Sequence, residues 1–317
     1  MVDKASTVGE RKALDNKASL LMVGICMIWG LQQIVLKMAA ADISPVMQIA
    51  LRSGISLLLV YPLVKVLPGT KLFSKQFLVP GFLVALLFSL EFVLVAEALR
   101  LTSASHTVVL LYTAPIFVAL GLHWKLPAER LNSIQWIGIF TAFLGIVFTF
   151  LGKDNATESM SSNMLLGDFL ALLAGISWAL TTITLRLTCL SDVPATQTLF
   201  YQLLGGFIFL LIIAFASGQA TIHWTPIAIG SLVFHSLLMS FASLMIWFWL
   251  LRNYLASQLG VFSFLTPIFG IVFSVILLNE KIEQNFIFGT LMVMLGVMIV
   301  SLHQWIRKKI SHAAPIK

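Results

Sequence analysis

The sequence predicts an all-α membrane protein of ten transmembrane helices, arranged as two inverted five-helix repeats. Three observations predict it. Hydrophobic residues make up 59% of the 317 residues and charged residues only 10%, whereas a soluble domain carries roughly 25% charged residues. The chain divides into ten apolar runs, most of them about 20 residues long, the length a helix needs to cross a hydrocarbon core of about 30 Å. The second half also repeats the landmarks of the first at a nearly constant offset. A mean hydropathy of +0.98 agrees with the first observation: a core this large cannot be covered by so few charges, so its solvent is lipid.

The runs follow in order. A tail, residues 1–17, carries Lys4, Arg11, Lys12 and Lys17 and precedes the first run, 18–38. That run ends near Lys37 and is followed by "AAA" at 39–41, but it is too long for a signal core and is read as a retained span. The second run, 46–66, starts after "ISP" and stops at "LPGTK". The third, 77–99, and fourth, 103–124, lead to "LPAER" at 126–130 and the fifth run, 133–151. A polar linker, 152–164, separates the halves. The sixth run, 165–186, ends ahead of "SDVP" at 191–194. The seventh, 195–216, ends at "SGQAT", and the eighth, ninth and tenth cover 226–251, 256–278 and 285–305. A basic tail, 306–317, closes the chain. Gly and Pro form the breaks. Pro62, Pro80, Pro115 and Pro267 lie within runs, where neighbouring helices in a bilayer can satisfy the freed backbone groups.

Basic residues set the orientation. With both ends in the cytoplasm, fifteen of the twenty Lys and Arg residues fall on the cytoplasmic side and three outside: Arg100, Lys153 and Lys281. Lys37 and Arg52 lie within runs. This split accounts for the net charge of +7 and leaves no basic stripe for nucleic acid. Cys26 and Cys189 have neither metal nor redox spacing, and no metal or cofactor motif is present.

The repeat is read from paired landmarks. "YTAPIF" at 112–117 returns as "FLTPIF" at 264–269, with Pro115 and Pro267 separated by 152 positions. Glu129 and Glu280 differ by 151, as do Gly145 and Gly296, while Trp29 and Trp178, Lys37 and Arg186, Pro45 and Pro194, and Gln48 and Gln197 all differ by 149. The first repeat is therefore 18–151 and the second 165–305. Five spans is an odd number, so the second copy enters the membrane from the opposite side. Inverted repeats of this kind build alternating access, with the substrate near the midplane.

Four segments of the first half, "WGLQQIVLK", "QIALRSGISLLL", "LTSASHTVVLLYTAPIFVAL" and "LPAERLNSIQWIGIFTAFLGIVF", resemble the EamA-type domain of the drug/metabolite transporter superfamily. "LASQLGVFSFLTPIFGIVFSVILLNEKI" resembles it again. The resemblance implies a multi-pass permease of a bacterial inner membrane whose central cavity opens alternately to either side. It implies a small-molecule substrate, an amino acid or related metabolite as first choice, with cationic drug efflux as the alternative. An intramembrane enzyme or a structural membrane protein is the reading of another class, and neither a nucleophile elbow nor a phosphate loop supports the enzyme. Lipid is the one macroscopic partner, proton coupling remains open, and the oligomeric state is not readable.

Polar and aromatic residues inside the runs supply the site candidates, because each polar group is costly there. For substrate binding these are Trp29, Gln33, Glu91, Tyr112, Trp178, Thr182, Tyr201, Gln202 and Trp247: aromatic walls with a few convergent polar groups, the composition of a small-molecule pocket. For coupling or gating they are Lys37, Arg52, His106, Pro115, His235 and Pro267. Glu91 reads as the deepest intramembrane carboxylate, with Arg52 as its ion-pair partner, and the two prolines as mid-helix kinks. Each of these residues has a structural reading beside the functional one, packing for the aromatics and ion pairing for the charges.

Overall fold

The structure is a computed structural model and describes residues 15–313, apart from 67–69, 71, 128–129, 152–157, 255–258 and 260–261. Most of the N-terminal tail, part of the linker, Glu129 and Ala256 therefore lie outside the described residues. The described residues are almost wholly helical. Helices α1 (Asn16–Met38), α2 (Pro45–Val66) and α3 (Lys75–Leu101) follow the first three runs. The fourth run is divided between α4 (Ala104–Leu111) and α5 (Ala114–Lys125). Then come α6 (Ser133–Leu151), α7 (Glu158–Leu187) and α8 (Ala195–Ala216). The eighth run is α9 (Pro226–Val233), a π-helical segment (Phe234–Ala242) and α10 (Ser243–Asn253). The ninth and tenth contain α11 (Leu265–Leu278) and α12 (Gln284–Ala313).

Among the described residues, seven helices are long and apolar enough to cross a membrane, counting α4 with α5 and α9 with the π segment and the start of α10, and three shorter apolar stretches lie at Ser133–Thr149, Leu265–Leu278 and Gln284–Val300. Large apolar side chains such as Leu58, Val79, Phe140 and Phe215 point outward from the bundle. In water such a surface would drive aggregation; in lipid it is the ordinary exterior. The protein is a multi-pass integral membrane protein.

Local chemistry fixes the helix ends. The Asp15 carboxylate accepts the Ala18 N–H at 2.7 Å, capping α1, and accepts the Tyr254 hydroxyl at 2.8 Å, tying that end to the end of α10. At the opposite end, Gln48 donates to the carbonyls of Leu36 and Ile43 at 3.1 and 2.9 Å, satisfying groups that the turn after α1 leaves open. There the loop after α2's neighbour α1 lies against the loop after α8: Ile43 bridges Ile222, and Ser44 donates to the Gln219 carbonyl at 2.7 Å.

The prolines correct the expectation of mid-helix kinks. Pro115 stands at the start of α5, after a turn at Tyr112–Thr113, and Pro267 stands in the first turn of α11. In a first turn the missing N–H costs no intrahelical bond. The repeated phrase thus marks where the fourth run, and the described part of the ninth, start a new helical segment.

The packing pattern is preserved when the halves are exchanged. α1 packs on α11 as α7 packs on α4; α3 packs on α8 as the π segment packs on α2; α3 packs on α7 as α10 and the π segment pack on α1. α2 against α8 and α6 against α12 each join equivalent helices. The last contact is backbone-close. A methyl group on Gly145 would lie 2.6 Å from the Gly289 carbonyl oxygen, and one on Gly289 would lie 2.6 Å from the Gly145 carbonyl oxygen. Gly138 and Gly296 meet in the same way. Small residues that admit another backbone are the usual means of packing helices in lipid.

Candidate functional site

α2, α3 and the π segment bring Arg52 and Glu91 into the interior, where they are 2% and 7% exposed. The Arg52 guanidinium lies over the Phe92 ring, 4.5 Å from its centroid, and approaches the Met239 sulfur at 3.8 Å. Its charge and that of Glu91 reach one another. No carboxylate among the described residues lies within 4.0 Å of the guanidinium, however, so the expected ion pair is not closed. Nor does any donor among the described residues bond the Glu91 carboxylate. A guanidinium offers five N–H donors and a carboxylate accepts several, so two opposite charges stand buried with most of their hydrogen-bonding capacity unused. Tyr112 also lies within electrostatic reach of Glu91, and His235 of Arg52.

The aromatic candidates form two edge-to-face pairs, each joining a residue of the first half to one of the second. Trp29 meets Trp247 with centroids 5.5 Å apart, and Tyr112 meets Trp178 at 5.3 Å. Trp29 donates its ring N–H to the Ser243 hydroxyl at 3.1 Å. Ser243 stands 152 positions after Glu91, so one repeat places a hydroxyl where the other places a carboxylate. Gln33 is buried, and its side-chain oxygen has no partner among the described residues.

His235 lies between two carbonyl oxygens, Nδ1 2.8 Å from that of Ser231 and Nε2 3.1 Å from that of Gln32, and its neutral ring can donate to one of them. Ser231 in turn donates to Gln48 at 2.6 Å. The π turn, a widening often found at functional positions, carries both His235 and Met239 toward α1 and α2. The remaining candidates have other surroundings. The Tyr201 hydroxyl donates to the Leu72 carbonyl at 2.6 Å and accepts from Gln197. Thr182 bonds back to the Trp178 carbonyl, and Gln202 is half-buried one residue from Tyr201.

A second polar cluster lies at the Lys37 end. Lys37 donates to the Thr102 carbonyl at 2.6 Å and pairs with Glu280 at 3.4 Å. The Glu280 carboxylate accepts the N–H groups of Ala104 and Ser105 at 2.7 and 3.1 Å and the Ser105 hydroxyl at 2.8 Å. It thus caps α4 from the far half of the chain, where the orphan N–H groups and the helix dipole favour an anion. Burial pushes its carboxyl up, but the Ala104 and Ser105 donors and the Lys37 ammonium outweigh burial and hold it below its ordinary value.

Next to this latch, His106 Nδ1 lies 3.0 Å and 3.1 Å from the two oxygens of Asp168, to which Thr102 also donates at 2.5 Å. The His106 ring stacks on Phe286, centroids 4.0 Å apart. Asp168 is fully buried, more so than Glu91, which corrects the expectation that Glu91 is the deepest carboxylate, and it is not among the sequence candidates. Its signal was an acidic residue four positions into an otherwise apolar run. The residue 149 positions earlier is Ser19, so the duplication does not mark this position.

Comparison with known proteins adds a family. The signature described as "EamA-like transporter family" matches residues 16–151 and again 165–302. The chain is 26% identical over 283 residues to a protein of Bacillus subtilis (strain 168) named "Uncharacterized transporter YoaV", a match covering 89% of this chain and 95% of that protein. It is 24% identical to a protein of Escherichia coli (strain K12) named "Probable amino-acid metabolite efflux pump", covering 90% and 95% of the two chains. A solved crystal structure superposes with a TM-score of 0.64 at 14% identity, over 93% of this chain and all of that one. That likeness speaks for the fold.

Proposed function

The chain belongs to the EamA-like transporter family, and from that premise we propose that it moves a small zwitterionic metabolite, an amino acid or a close relative, by alternating access through a central cavity. The observation that carries the substrate class is the open pair of Arg52 and Glu91. A zwitterion supplies what each lacks: a carboxylate for the guanidinium, bound through charge-assisted and bidentate hydrogen bonds, and an ammonium for Glu91. Tyr112, Trp178, Trp29 and Trp247 then form the aromatic walls, and Gln33 offers a free acceptor. The similarity to an efflux pump named for amino-acid metabolites supports the same reading.

In this reading the three shorter apolar stretches complete ten spans, the repeats are inverted, and both termini are cytoplasmic, which puts Lys37, Glu280 and Gln219 at the outer end. Lys37 and Glu280 close that end. His235 steadies the bend in the eighth span, and Pro115 and Pro267 start the segments that move. No turnover chemistry is assigned to the chain.

The test is a melting-temperature panel on purified protein. Zwitterionic amino acids should raise the melting temperature by mass action, while amino-acid amides and carboxylic acids without an amine should not. Stabilisation by cationic drugs, with amino acids silent, would replace this reading with drug efflux.

A further inference from the structure

We propose that His106 and Asp168 form a proton-binding site, and that an occupied site keeps the outer end latched. The inference rests on the alternating-access reading but not on the identity of the solute.

The geometry is that of a buried dyad continuous with the latch. Asp168 comes from α7 and His106 from the first turn of α4, and Phe286 of α12 covers the imidazole. Thr102 joins the two clusters, since its hydroxyl donates to Asp168 while its carbonyl accepts Lys37. Helix α4 joins them again: its N–H groups at Ala104 and Ser105 hold Glu280, and the next residue is His106. α7 is seated tightly here, because a methyl group on Gly167 would lie 2.8 Å from the Thr102 nitrogen. The dyad therefore cannot loosen without disturbing the residues that close the latch.

Charge balance gives the direction. With a proton taken from water, the pair is an imidazolium and a carboxylate, neutral together and suited to a dry site. Without it, a neutral imidazole faces a carboxylate, and the pair itself carries one negative charge more in a buried place, which is costly unless water enters. Release of the proton thus favours the hydrated, open form of the outer end, and uptake favours the latched form. Among the described residues, the charged groups on the neighbouring element ends include Lys37 on α1, Glu280 and Glu283 ahead of α12, and Glu97 with Arg100 at the end of α3. Glu97 and Arg100 are paired with each other at 2.7 Å near the surface. Glu280, held below the ordinary carboxylate value, stays ionised throughout the neutral range.

The experiment needs no solute. Cys26 and Cys189 are replaced by Ser, and spin labels are placed at Arg100 and Lys281, which flank the latch and take no part in it. The interspin distance is followed in liposomes from about pH 5 to about pH 9, spanning the histidine range. The native chain should pass from a short to a long distance as pH rises, its latched-to-open ratio falling up to about tenfold per pH unit for one linked proton. Asp168→Asn, neutral with a neutral imidazole, should stay short at every pH. His106→Gln should displace the midpoint, which serves if Asp168→Asn does not fold. Glu280→Gln should open at every pH. A native distance independent of pH while Glu280→Gln opens would overturn the proton site and leave alternating access standing. No movement in either would overturn both, and an unchanged titration in Asp168→Asn or His106→Gln would overturn the proposal.

Discussion

Arg52 is the side chain on which the substrate reading turns. It is buried on Phe92, an arrangement worth on the order of 2 kcal/mol when desolvated, yet its donors are not closed by Glu91. A hydrogen bond to a charged group contributes about 1.5–3 kcal/mol, which is roughly a 10- to 150-fold change in affinity. Arg52→Gln and Glu91→Gln should each weaken amino-acid binding by that factor, read as a rightward shift of ligand dose in the melting panel. A dose response matching the native protein in both variants would remove the pair from the site. Both residues were legible in the sequence, because charges inside apolar runs are conspicuous. Whether they pair was not, since that depends on where α2 and α3 point their side chains. Asp168 is hard to read from the sequence for a different reason: its partner His106 lies 62 positions away, and the first repeat has Ser19 at the matching position.

At the scale of elements, the α6–α12 contact is the most constrained. Gly145 and Gly289 admit each other's backbone, so added side-chain volume must separate the helices. Overpacking costs typically about 1–3 kcal/mol, and Gly145→Leu or Gly289→Leu should lower the melting temperature accordingly. Gly24→Leu, where nothing lies within 4 Å, should not. Equal melting temperatures for all three would show that α6 and α12 do not pack this closely. Gly145 and Gly296 were visible as repeat landmarks, but the spacing could not say that Gly145 meets Gly289 rather than its own counterpart. The prolines teach the same lesson. Their positions in the runs were plain, whereas the turn at Tyr112–Thr113, which makes Pro115 a starting residue, depends on tertiary packing around α4.

For the whole molecule, the duplication was the most legible feature, because it rests on many positions in one order. The packing pattern survives exchange of the halves, as two copies related by symmetry require. The proposed orientation, with both termini cytoplasmic, rests on the distribution of basic residues. A cysteine introduced at Gln219 should react with an impermeant reagent from outside, and one at Ser74 should not; the reverse would turn the molecule over in the membrane. Neither composition nor repeat could name a solute, because that choice sits in a handful of side chains. The most direct test of the account is counterflow. Purified chain in liposomes loaded with an unlabelled amino acid, without ATP, should accumulate the labelled amino acid transiently, and Arg52→Gln should not. Entry no faster than into empty liposomes, for every amino acid tried with folded native protein, would contradict it.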